Sequence, residues 1–77
     1  MQKFDIMIHS RQEVQEFVAL AARQPFRVTV GNENQSIDGK DFMGMFSLDY
    51  TKPVKVVADC SAEEFAAFQK AVLALQQ

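Results

Sequence analysis

Two helical segments, each started by a serine and apolar along one side only, constrain this chain most. Ser10 is followed by Glu13, and Ser61 by Glu64, which is the spacing of a capping box. The first helix should end before Pro25, because the residue that precedes a proline disfavours helical geometry. Behind each serine, apolar residues recur at helical spacing: Val14, Phe17, Val18 and Ala21 in the first segment, and Phe65, Phe68, Val72 and Leu75 in the second. Each helix therefore needs an apolar surface to cover.

Short strands can supply this surface. Alternation of apolar and polar residues, together with β-branched side chains, predicts strands over residues 4–8, 26–30, 35–38 and 53–58. The turn-forming residues 31–34 (GNEN) separate the second strand from the third. With a short helix before the last strand, the order becomes βαββαβα. An α+β fold, in which both long helices cover one face of a four-stranded antiparallel sheet, buries the apolar stripes of both helices. Strand order 1-4-2-3 would identify an open-faced β-sandwich, and order 4-1-3-2 its ferredoxin-like competitor.

Size and composition exclude several classes of function. The 77 residues are expected to form one domain over 1–77. A net charge of −2 without any basic run argues against a nucleic-acid partner, and no apolar stretch reaches the ~18 residues of a membrane span. Cys60 is the single cysteine and no Cys/His cluster exists, so neither a disulfide nor a metal site is expected. We expect no cofactor, no enzyme activity and a cytoplasmic location.

The most apolar part of the chain lies in residues 38–48 (DGKDFMGMFSL). Side chains at Phe42, Met43, Met45 and Phe46 point around more than half of a helical turn, since successive residues are ~100° apart. A sheet covers only one side of such a short helix, so at least one of Phe42, Met43 and Phe46 should be exposed. These four residues are candidates for docking a protein partner. The alternative is that they plug one end of the sheet.

The same segment carries a family resemblance. DGKDFMGMFSL is similar to the small-Lys-Ser-hydrophobic-Met/Leu-Gly motif of the histidine-containing phosphocarrier proteins (HPr), and Glu16-Phe17-Val18 resembles the middle of that family's first long helix. Element order and spacing are similar over essentially the whole chain, and look closest to a short-loop, divergent, bacterial branch. The resemblance implies the HPr type of open-faced β-sandwich, a relation to the phosphoenolpyruvate-dependent sugar phosphotransferase system, and protein partners that dock on the short helix.

The phosphorylation site departs from the family pattern. HPr proteins carry the phosphoryl group on a histidine at the start of the first helix, in a Gly-Leu-His-Ser/Thr-Arg-Pro context. Here His9-Ser10-Arg11 resembles part of it, but Gln12 replaces the proline and the glycine-containing loop is missing. Matching the apolar stripe of the first helix to the family places Ser10 at the catalytic position. Aligning His9 with the family's histidine instead would insert an extra residue into the helix and rotate its later side chains by ~100°. We therefore expect Ser10 to cap the helix and His9 to lie at a strand end.

Asp41 is the second departure. In Gram-positive members of the family, the matching position is a regulatory serine that a kinase phosphorylates. Asp41 cannot accept that phosphate stably, so it is either an ordinary helix cap or a permanent mimic of the phosphorylated serine.

These observations favour an HPr-like interaction or regulatory module without a competent phosphohistidine site. Two alternatives stay open. One is an active phosphocarrier that accepts phosphate from Enzyme I on His9, with Arg11 stabilising the phosphoryl group. The other is an unrelated ferredoxin-like binding module.

Overall fold

The computed structural model describes residues 1–33 and 35–76. Asn34, the last residue of the predicted turn, lies outside the described residues. The order of helices and strands is the predicted βαββαβα: β1 (Gln2–Ile6), α1 (Arg11–Ala22), β2 (Val28–Gly31), β3 (Ser36–Asp38), α2 (Phe42–Met45), β4 (Val54–Ala58) and α3 (Ala62–Leu75).

The four strands form one antiparallel sheet in the order β1-β4-β2-β3. This order confirms the open-faced β-sandwich, and the ferredoxin-like alternative is wrong. The register places Phe4 opposite Val56, and Val56 opposite Val30 on its other side. Since side chains alternate between the two faces of a strand, these apolar residues share one face. The intervening residues, such as Lys3 and Lys55, are exposed on the other face.

The core lies between this apolar sheet face and the helices. All four residues of the predicted α1 stripe are buried. In α3, Phe68 and Val72 are buried, whereas Phe65 and Leu75 are half-buried. The Phe68 ring meets the rings of Phe17 and Phe26 edge to face, with centroids 6.1 and 5.8 Å apart. Such contacts fix the positions of α1 and α3 on the sheet.

The strand boundaries differ from the prediction by one or two residues, most at β1, which begins at Gln2, and at β2. β1 ends at Ile6, not at residue 8, although Ile8 remains buried. The Gln76 side-chain amide donates a hydrogen bond to the Met7 carbonyl, which ties this segment to the end of α3. β2 begins at Val28, not at residue 26, because Phe26 turns into the core beside Phe68. Within the described residues, no helix is long and apolar enough to cross a membrane.

Candidate functional site

Ser10 is the N-cap of α1, as the register of the apolar stripe predicts. Its backbone is extended (φ −155°, ψ 163°), and its Oγ accepts a hydrogen bond from the Glu13 amide at 3.2 Å. The Ser10 carbonyl accepts from the Val14 amide, also at 3.2 Å, and so starts the helical hydrogen bonds. Because a serine hydroxyl satisfies an amide that the helix leaves unpaired, this residue fixes where α1 begins.

The reciprocal half of the predicted capping box is displaced by one residue. The Glu13 carboxylate accepts from the backbone amide of His9, at 3.2 Å to Oε2 and 3.4 Å to Oε1, and not from that of Ser10. By contrast, the box at α3 is complete: Glu64 accepts from the Ser61 amide at 3.1 Å, and Ser61 Oγ accepts from the Glu64 amide at 3.2 Å. The α1 prediction was therefore right for Ser10 and wrong for the partner of Glu13.

His9 lies outside the helix, one residue before the cap, and its side chain is 65% exposed. Its Nδ1 is 3.4 Å from Glu13 Oε1, so a carboxylate faces this ring nitrogen. The prediction that His9 lies at a strand end was wrong, because β1 ends at Ile6 and residues 7–9 lead into the helix.

A shallow groove joins the start of α1 to the segment that follows α2. It is lined by Ile8, His9, Ser10, Arg11, Val14, Phe46, Tyr50 and Thr51. The groove thus brings His9 and Arg11, the residues of the active-carrier alternative, next to Phe46 of the predicted docking segment. Tyr50 and Thr51 carried no motif in the sequence, and their place in the groove follows only from the fold.

Tyr50 connects this groove to α2. Its hydroxyl donates a hydrogen bond to the Met45 carbonyl at the end of α2. Burial raises the pKa of Tyr50 to about 12, because a phenolate would lose its hydration there. Tyr50 is therefore a neutral donor at physiological pH and holds the last turn of α2 in place.

Asp41 is the N-cap of α2. Its Oδ1 accepts a hydrogen bond from the Gly44 amide at 3.1 Å, and its carbonyl accepts from the Met45 amide at 2.9 Å. The preceding Lys40 is also used locally, because its Nζ donates to the Gln24 carbonyl at 2.9 Å. The cap interpretation of Asp41 thus has a structural basis, whereas mimicry of a phosphoserine stays a prediction.

The apolar residues of α2 divide between the core and the surface. Phe42, Met43 and Phe46 are 43%, 77% and 36% exposed, which confirms that at least one of these three side chains faces solvent. Met45 is fully buried, so its inclusion among the docking residues was wrong: it is the single α2 residue that plugs the core. The rings of Phe42 and Phe46 contact each other edge to face, with centroids 4.9 Å apart. Phe42, Met43 and Phe46 are called the α2 patch below.

Gly44 lets α2 sit close against β3. A Cβ built at this residue would lie 2.7 Å from Asp41 Oδ2 and 2.8 Å from Ile37 Cγ2, closer than real Cβ contacts. A larger residue would push α2 away from the sheet or displace the Asp41 cap. The glycine of the sequence motif therefore has a packing reason that involves both the cap and the strand.

The fold is similar to that of a solved HPr structure. A crystal structure of HPr-C-His from Thermoanaerobacter tengcongensis superposes with a TM-score of 0.74 and 28% sequence identity, over 97% of this chain and 90% of that chain. No family model and no curated protein matches the sequence. The chain therefore has an HPr-like fold.

Proposed function

We propose that this HPr-like domain acts as a protein-interaction or regulatory module and does not carry a phosphoryl group on a histidine. The observation that supports this most is the start of α1. Ser10 holds the cap position, and His9 lies before it with its Nδ1 facing the Glu13 carboxylate at 3.4 Å.

Electrostatics around His9 oppose phosphorylation. A phosphoryl group carries about −1.5 to −2 charges near neutral pH and is stabilised by free amides and cations. The amide of His9 is hydrogen-bonded to Glu13, and the amide of Glu13 is hydrogen-bonded to Ser10. A phosphoryl group on Nδ1 would meet the Glu13 carboxylate at short range. Arg11 is exposed and adjacent, but together with the remaining amides of the first turn it would have to offset this repulsion.

The α2 patch supplies the interaction surface in this proposal. Buried Met45, the Asp41 cap and the Tyr50 hydrogen bond hold α2 in one orientation. Exposed aromatic side chains on a rigid support lose little entropy on binding, and such residues often dominate interface energies. Because Phe46 also lines the groove beside His9 and Arg11, a partner on the patch would also cover the start of α1.

The resemblance suggests a component of the bacterial cytoplasmic phosphotransferase system, or a regulator of it, as the partner. Asp41 would then contribute a fixed negative charge at the position of the regulatory serine, which removes control by a kinase at this residue. The domain would bind its partner constitutively.

A titration with Enzyme I tests the docking function. We expect ¹H–¹⁵N resonances of the α2 patch and of the groove to shift on addition of Enzyme I without phosphoenolpyruvate, while those of the sheet's exposed face stay unchanged. Shifts confined to other surfaces, or the absence of any shift, would contradict the proposed docking surface.

A further inference from the structure

The outer edge of β1 offers a second interaction surface. Among the described strands, β1 pairs only with β4 and forms one edge of the sheet. An edge strand presents unpaired backbone amides and carbonyls, which are a template for another strand. β1 pairs with β4 over five residues, Gln2–Ile6, while the opposite edge strand, β3, has three.

β1 carries two exposed residues of opposite charge. Lys3 and Asp5 flank Phe4, and both are exposed on the open face of the sheet. Inside the sheet, Asp5 is opposite Lys55, whereas Lys3 is opposite Val57. Lys3 therefore has no acidic residue directly across from it on β4.

We propose that two copies of this chain associate through β1, antiparallel and with Phe4 opposite Phe4 of the second copy. This register is two-fold symmetric and joins the two sheets into one. It places Lys3 of each copy opposite Asp5 of the other. On the open face, four residues then lie side by side across the joined sheet: Lys55, Asp5, Lys3 of the second copy and Val57 of the second copy. No like charges are directly opposite each other in this row. This proposal does not depend on the proposed function.

Neighbouring registers are disfavoured by the same charges. The smallest shift that keeps the buried and open faces aligned is two residues. In one direction this shift places Lys3 opposite Lys3, and in the other Asp5 opposite Asp5. Lysine on an edge strand ordinarily discourages pairing, but here the alternation of charge permits one register with a second copy and opposes the adjacent ones.

The helix-covered side of β1 also favours this contact. Phe4 is half-buried, and its ring meets the Phe65 ring edge to face, with centroids 5.4 Å apart. In the proposed register, Phe4 of the second copy would cover the part of this ring pair that solvent now contacts. Cross-strand aromatic pairs and opposite-charge pairs both stabilise antiparallel strands.

Sedimentation equilibrium of charge variants tests the proposal. The wild-type chain should dimerise reversibly with concentration. Lys3→Glu and Asp5→Lys should each dimerise at least about tenfold more weakly, because two attractive pairs per dimer become repulsive. An equimolar mixture of the two variants should regain the wild-type affinity. In the mixed dimer, the introduced glutamate of one chain faces the introduced lysine of the other, and the unchanged Asp5 faces the unchanged Lys3.

A matched control uses exposed charges elsewhere on the chain. Lys70→Glu on α3 and Asp38→Lys on β3, the opposite edge strand, make the same changes of charge outside β1. Both variants should dimerise as the wild type does, alone and mixed, because neither residue lies in the proposed interface.

Several results would overturn the proposal: a wild-type chain that stays monomeric up to millimolar concentration, single variants that dimerise normally, or a mixture no tighter than its components. Because Asp5→Lys also places two lysines opposite each other within one chain, circular dichroism should verify its fold.

An independent measurement uses wild-type protein alone. Mixed labelled and unlabelled copies should give intermolecular NOEs between Lys3 and Asp5 backbones, and their absence in a dimer would refute this interface.

Discussion

Replacement of Ser10 tests whether this residue, and not His9, is the N-cap of α1. In Ser10→Ala, the Glu13 amide loses its acceptor at 3.2 Å, and loss of a serine cap costs about 1 kcal/mol, within a range of about 0.5–2. For a domain of this size, a loss of about 1 kcal/mol lowers the Tm by about 4–8 °C.

His9→Ala should cost less than about 0.5 kcal/mol, as is usual for exposed side chains without a special structural role. The Glu13 carboxylate binds the His9 backbone amide, which the variant retains. Only the exposed contact between Nδ1 and Glu13 Oε1 is lost.

Urea unfolding followed by circular dichroism measures both changes. Ser61→Ala, which removes the equivalent cap of α3, is the matched control and should lose about as much free energy of unfolding as Ser10→Ala. If His9→Ala destabilises the protein as much as Ser10→Ala, or if Ser10→Ala is neutral while Ser61→Ala is not, the assignment of the cap to Ser10 is refuted.

Three other predictions concern α2 and Tyr50. Met45→Ala should lower the free energy of unfolding by about 2–5 kcal/mol, because it leaves a cavity in the core; a loss below about 1 kcal/mol in urea unfolding would contradict its role as the plug. Met43→Ala should leave stability nearly unchanged but weaken Enzyme I binding about tenfold or more in a calorimetric titration, whereas Leu73→Ala, an exposed control on α3, should alter neither quantity. The pKa of Tyr50, about 12 in the folded chain, lies above the ordinary value of about 10, so the native state keeps a proton that the unfolded state loses. Stability should therefore fall as pH rises from about 10 to about 12, and Tyr50→Phe should show a smaller fall; equal slopes for the two proteins would refute the shift.

Local patterns in the sequence were sufficient to predict most of the fold. The serine caps and the apolar stripes locate α1 and α3, because both depend on residues within one or two turns. The need of both helices for one apolar sheet face then limits the possible topologies. The boundaries of β1 and β2 could not be predicted, since they depend on contacts between distant residues, such as the Gln76–Met7 hydrogen bond and the packing of Phe26 on Phe68.

The candidate site was predictable in part. The apolar run of α2 is too long for all its side chains to be buried, so the exposure of some of them was predictable. Which residue turns into the core was not. That choice depends on the rotation of α2, which the Asp41 cap, the close approach of Gly44 to Ile37 and the Tyr50 hydrogen bond fix together. Likewise, the contact of Glu13 with His9 depends on the path of residues 7–9, which carries no sequence motif.

Transfer of phosphate from phosphoenolpyruvate by Enzyme I tests the central claim most directly. Intact-protein mass spectrometry at neutral pH should detect no phosphorylated form of this chain under conditions that fully phosphorylate an active HPr in the same tube. His9→Ala serves as the control for any background signal. An acid-labile phosphate on the wild-type chain, formed at substoichiometric Enzyme I and absent from His9→Ala, would contradict the claim and establish the chain as a working phosphocarrier.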